Sequence, residues 1–225
     1  MRQSPPGFLH ADLQSRLIVT LVSIFVGALA ATNWLSRWSE SRKLEWTTKP
    51  LVTGGLIVIA LAVDPASSVQ RTWFVVALIF CLIGDIALML PNERFIAGLS
   101  AFLVGHGAFA VGFIARAESA DVWAIGVVAI VTGVCLTLTA RRTLAALSAR
   151  SSRLLKPVVA YAAVILTMTV TSLAGGTLAP IAAATFAASD SILADNKFVA
   201  SSRAKSVAVM VSYHAALALL IVSLG

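Results

Sequence analysis

Charge is scarce in this chain. Only 12% of its 225 residues are Asp, Glu, Lys or Arg, against about 25% in a typical soluble domain. Cysteine is scarcer still: Cys81 and Cys135 both lie in apolar segments, with no CxxC or Cys/His spacing. That argues against a disulfide framework or a metal centre, and both read as small buried hydrophobes. The sequence contains no G-x-S-x-G, no H-E-x-x-H, no Walker loop and no dinucleotide fingerprint. Serine-nucleophile, zinc and nucleotide chemistry are therefore disfavoured. The net charge of +7 and pI near 10.1 come without a basic patch interleaved with aromatics, so no nucleic-acid partner is expected. Basic loops of a membrane protein account for the same surplus.

What is abundant is apolar sequence: 59% hydrophobic residues and a mean hydropathy of +0.92. Several runs reach the roughly 17–25 residues that cross a bilayer as a helix. The expected fold is all-α, a single polytopic membrane domain over residues 1–225. Eight spans are read at 17–35, 50–63, 72–90, 95–115, 122–140, 154–173, 177–195 and 206–224. Arg16 and Ala28-Leu29-Ala30 fit a signal-peptide pattern. Alanine is too frequent for that tripeptide to weigh, so this run is read as the first membrane helix. Pro50 and Pro157 are expected near helix starts, where a missing N–H costs little.

Loop charge sets the orientation. Thirteen of the 17 Lys and Arg fall after spans 1, 3, 5 and 7, and four fall on the other side. This places the odd loops in the cytoplasm and both termini outside.

Two aspartates interrupt the apolar runs, Asp85 in the third span and Asp190 in the seventh. A carboxylate there costs about 2.5–3.5 kcal/mol on insertion scales, so its presence asks for a use. Each lies about five residues before the cytoplasmic end of its span, roughly 8 Å deep at the helical rise. Tyr161, Tyr213 and His214 fall near the same depth, His106 lies deeper, and Lys49 and Lys156 mark the mouths of spans 2 and 6. A faint repeat accompanies the pattern. Lys49-Pro50 precedes Gly84-Asp85 by 35 residues, and Lys156-Pro157 precedes Ser189-Asp190 by 33. Halves 17–115 and 122–224 would then be parallel four-helix repeats, with spans 3 and 7 brought together at the centre.

Each candidate has a plain alternative. Either aspartate can be a structural, hydrogen-bonded carboxyl, with Ser189 and Ser191 as local partners for Asp190. Tyr161 and Tyr213 can be packing residues, and Lys49 can simply snorkel to the interface. His214 should face about 100° away from Tyr213 around the helix. The functional reading has Asp85 and Asp190 facing each other across one water-accessible pocket, a pair able to share a proton and act as acid and base together.

The motifs resemble the lysoplasmalogenase (YhhN-like) family over essentially the whole chain. The matching elements are Lys49-Pro50, Gly84-Asp85-x-x-Leu88, Phe95-x-x-Gly98 and Ala101-Phe102-x-x-x-His106. They continue with Tyr161 and Met168, then Phe186-x-x-Ser189-Asp190-x-x-Leu193-Ala194 with Phe198, and Tyr213-x-Ala215-Ala216. Phe109, His214 and Leu217 depart from the pattern, standing where two tyrosines and a glutamine are expected. The resemblance implies hydrolysis of the vinyl ether of a lysophospholipid to a fatty aldehyde and a glycerophospho-base. Asp85 and Asp190 would be catalytic, and Lys49, His106, Tyr161, Ser189 and Tyr213 would bind substrate. It implies no metal or organic cofactor, and as partners a lysophospholipid and the surrounding membrane lipids. Two other readings stay open, a small transporter and an intramembrane aspartyl protease. The protease reading lacks its first glycine, since Leu82 stands there.

Overall fold

The structure, a computed structural model, describes residues 6–90, 94–116, 130, 133, 134, 137, 140–148 and 152–225, with side chains from residue 16 onward. Among these residues it is all-helical and contains no strand. The elements are α1 (Pro6–Trp38), α2 (Arg42–Ala62), α3 (Ser68–Met89), α4 (Phe95–Arg116), α5 (140–148), α6 (Ser152–Thr171), α7 (Leu178–Phe198) and α8 (Arg203–Val222). Most of the expected fifth span (122–140), with Cys135, Asp121 and Arg150, lies outside the described residues.

Local chemistry sets the helix ends. Ser67 and Ser202 cap α3 and α8, their hydroxyls accepting from the backbone N–H of Gln70 and Lys205, which satisfies donors a helix start leaves open. After α6 the chain tightens into a 3₁₀ turn, Ser172–Gly175, and reverses at Gly176 with φ 82°, a conformation glycine adopts without steric cost. The second helix corrects the sequence reading. It begins at Arg42, not Pro50, so Pro50 lies inside it, as Pro157 lies inside α6. Each proline forgoes one intrahelical bond, and the helices continue past them.

Six of the described helices are long and apolar enough to cross a membrane: α1 from Arg16, α2, α3, α4, α6 and α8. The expectation of eight crossings is met only to that extent. Alanine supplies much of the apolar content of α7, which also carries Asp190, Asp195 and Lys197. Large apolar side chains face outward, among them Leu17, Ile18, Leu21, Ile24 and Phe25 of α1 and Ile79, Ile83 and Ile86 of α3. A soluble monomer rarely exposes so much contiguous apolar surface, and lipid accounts for it.

The packing runs around a ring: α1 on α2, α2 on α3, α3 on α4, α4 on α6, α6 on α7, α7 on α8, and α8 back on α1. The closest pair is α3–α4. Gly98, Gly105 and Gly112 recur every seven residues along α4, where a Cβ would strike Leu88, the Ala77 carbonyl oxygen and Phe74 of α3. Small residues let membrane helices approach this closely. Among the described residues, α3 packs chiefly between α2 and α4, and α7 between α6 and α8. Fully buried Phe74, Phe109, Phe113, Phe186 and Leu217 fill the interior, so two of the three departures from the family pattern are core packing.

Candidate active site

Two polar clusters lie inside the ring, each built on one aspartate. Asp85 is fully buried. Thr53 and Tyr213 donate to its Oδ2 at 2.8 and 2.9 Å, and the Lys49 ammonium stands 3.1 Å from Oδ1. A buried ion pair holds together only when further hydrogen bonds offset the lost hydration, and these two hydroxyls supply them. Lys49 and Thr53 are four residues apart on α2, one turn along the same face.

Asp190 is less enclosed, its side chain 12% exposed. The Tyr161 hydroxyl donates to Oδ2 at 3.0 Å, and His106 Nε2 stands 3.3 Å from the same oxygen. His106 Nδ1 is 2.6 Å from the Phe102 carbonyl oxygen. That oxygen can only accept, so Nδ1 carries a proton in either charge state of the ring. Nε2 makes no hydrogen bond among the described residues, so its 3.3 Å approach to Asp190 is a close contact only.

The two clusters are crosswise related. Asp85 on α3 is held from α2 and, across the ring, from α8; Asp190 on α7 is held from α6 and, across the ring, from α4. The Phe186 ring touches both, 4.4 Å from His106 and 5.5 Å from Tyr213, centroid to centroid.

A cavity of about 380 Å³ opens on one cluster only. Its walls include Asp190, Tyr161, Phe102, Leu88, Leu99, Leu166 and Leu193, with Thr137, Thr143 and Leu144 from α5 and the stretch before it, and Lys197 and Phe198 at one end. Asp85 is not among them. The expectation of two carboxyls facing one another across a common pocket is therefore corrected: Asp190 meets the cavity, and Lys49, Thr53 and Tyr213 wrap Asp85. Lys49 is corrected with it. Expected at a solvated mouth, it is 5% exposed and turned inward to Asp85.

Ser189 points elsewhere, its hydroxyl donating to the Val209 carbonyl of α8 at 3.0 Å. His214 faces α1 and accepts from Trp34 Nε1 at 3.1 Å, which agrees with the angle expected between it and Tyr213. Sequence reasoning missed Thr53, although its spacing from Lys49 carried the signal. It also missed the Phe102 carbonyl, a backbone group no motif names. Among the described residues, no group of three or more His, Cys, Asp or Glu is arranged to hold a metal ion.

The fold and site thus define a helical, membrane-spanning protein with two intramembrane aspartates, one fully buried and one partly exposed on the wall of an apolar cavity. The chain belongs to the YhhN family, the family of lysoplasmalogenases, whose model matches residues 44–224. That match spans every aspartate partner named above. No curated protein and no solved structure matches the chain at a significant level.

Proposed function

We propose that the protein hydrolyses the vinyl ether bond of a lysoplasmalogen-type lysophospholipid, releasing a fatty aldehyde and a glycerophospho-base. The observation that carries this reading is a carboxyl on the wall of an apolar cavity, backed by an imidazole whose other nitrogen is already committed. Vinyl ethers resist hydroxide and cleave once a proton reaches the enol carbon. Asp190, as the neutral acid, delivers that proton, and the double bond's electrons form the new C–H bond. The resulting oxocarbenium ion lies beside the carboxylate just formed, which stabilises it. Water adds to the cation and returns a proton to Asp190, and the hemiacetal collapses to aldehyde and alcohol. Tyr161 donates to Oδ2 through both proton transfers, and His106 Nε2 stands beside that oxygen as a proton-transfer partner.

In this reading Asp190 and Tyr161 touch substrate. Asp85, with Lys49, Thr53 and Tyr213, is a positioning group: it fixes α2, α3 and α8 around Phe186 and His106. The lipid chain occupies the cavity, entering between helices from the membrane. The crosswise pairing of the aspartates is what two parallel four-helix repeats would give, with α5 and α7 completing eight crossings. The basic end of the bundle then faces the cytoplasm and both termini lie outside, in a cell membrane.

The test is aldehyde release from a long-chain lysoplasmalogen by purified protein in deuterated water. The reading requires one solvent-derived deuterium on the carbon next to the carbonyl, and loss of release in Asp190→Asn. Lipid binding without product would favour a carrier and sink the enzymatic proposal.

A further inference from the structure

Lys49 is buried against Asp85, so a lipid phosphate needs another cationic partner. At the same end of the bundle as the cavity's Lys197 lies a polar bowl of about 870 Å³, formed where the α1–α2 turn, the end of α3 and the α7–α8 turn meet. Its walls carry Arg37, Arg42 and Arg203 together with Glu40 and Glu45, an excess of one positive charge. Leu88 lines both this bowl and the apolar cavity, so the two spaces adjoin at the end of α3.

Three features suit the bowl to an anion. Arg37 spends one nitrogen on Glu45, at 2.6 Å, while its Nε is buried with no hydrogen-bond partner among the described residues. Arg42 has no acidic partner among the described residues and is exposed. The α2 helix begins at the bowl, at Arg42, with no side-chain cap from Ser41, and such a helix start presents unpaired N–H groups and the positive end of the dipole. Arg203 is engaged differently. It grips Glu40 through two nitrogens at 2.7 and 3.2 Å, and that hydrogen bonding holds the Glu40 carboxyl below its usual range. The surroundings point to a membrane lipid rather than a free solute: Trp38, Leu44 and Trp46 are exposed near the rim, and tryptophan gathers at the head-group level of bilayers.

We infer that this bowl seats the phosphate-bearing head group of the lipid whose chain fills the cavity, with Arg37 and Arg42 as its ligands. The inference rests on the lipid reading above and adds where the head is recognised.

Binding to the full chain in detergent tests it, followed by tryptophan fluorescence without turnover. The probes are a 16-carbon lysophosphatidylcholine and the monoalkylglycerol of equal chain length, which lacks the head. Arg42→Ala, and separately Arg37→Gln, should weaken the lysolipid by about tenfold, the scale of one charge-assisted hydrogen bond, and leave the headless lipid unchanged. Arg42 is exposed and has no acidic partner among the described residues, so that variant is expected to melt like the parent. Equal affinity for the lysolipid in both variants overturns the inference, as does an equal loss for the two probes. Inorganic phosphate that binds without competing against the lysolipid also overturns it, marking a site for free anion alone. Aldehyde release is scored separately. Head-dependent binding without aldehyde sinks the hydrolase reading and leaves the bowl; normal turnover and KM in both variants does the reverse.

Discussion

Lys49 and Asp85 pair at 3.1 Å in a place that water barely reaches, their side chains 6% and 0% exposed. Removing one partner from such a pair strands the other charge and costs about 3–5 kcal/mol, whereas removing both is often close to neutral. Lys49→Met should therefore lower the unfolding midpoint sharply, and Lys49→Met with Asp85→Asn should recover most of the loss. Thermal unfolding in detergent decides it. A double variant as unstable as the single one would mean that the lysine's contribution is packing, not charge.

The second cluster leads to a kinetic prediction. His106 Nε2 stands 3.3 Å from Asp190 Oδ2, so in the proposed reaction the two act as a unit and their losses should not add. Asp190→Asn should abolish aldehyde release. His106→Gln should lower it by about 10²–10⁴, the usual worth of a positioned proton-transfer partner. The double variant should be no worse than Asp190→Asn alone. Multiplying losses in a two-by-two rate comparison would show that the residues work independently.

How much of this was readable beforehand depended on the kind of signal. The aspartates, His106 and the two tyrosines stood out because polar groups in apolar helices are costly, and the structure gathers all of them inside the ring. Their partners across the ring could not be read. Which helix lies beside which depends on steric fit, such as Gly98, Gly105 and Gly112 against α3, and not on hydropathy. Depth predicted that Asp85 and Asp190 lie at one level, but depth says nothing of azimuth, and azimuth decides that only Asp190 meets the cavity. Lys49 misled for a related reason. A lysine before proline reads as a helix mouth, yet α2 starts seven residues earlier and carries it inside.

The fit of α3 on α4 can be tested at two glycines on one helix. A Cβ on Gly105 would lie 3.1 Å from the Ala77 carbonyl oxygen and 3.3 Å from Cys81 Sγ, whereas one on Gly107 meets nothing within 4 Å. A backbone oxygen in a packed helix pair cannot swing aside, so Gly105→Ala should destabilise by about 1–3 kcal/mol, as overpacking does. Gly107→Ala adds a methyl to open space and should be neutral or slightly stabilising, since glycine is a poor helix former. Equal melting of the two variants would show that the α3–α4 contact yields more readily than its geometry suggests.

The cavity itself makes the last prediction, through chain length. Leu166 lines the cavity beyond Tyr161 on α6, on the side away from Lys197 and the bowl, so Leu166→Trp should fill the space the chain's far end needs while leaving Asp190 and His106 in place. Burying each methylene is worth about 0.8 kcal/mol, or roughly fourfold in affinity. The parent protein should therefore show a KM that falls steeply as the substrate chain lengthens, until the cavity of about 380 Å³ is full. In Leu166→Trp that slope should flatten, with long chains losing most and the shortest least, while kcat for the short chains stays near the parent value. A uniform loss at every chain length would mean that the tryptophan disturbs the proton pair, or that the chain lies elsewhere. Asp190→Asn separates those two cases: a chain-length slope in its lipid binding that matches the parent's places the chain in this cavity, whatever the state of the carboxyl.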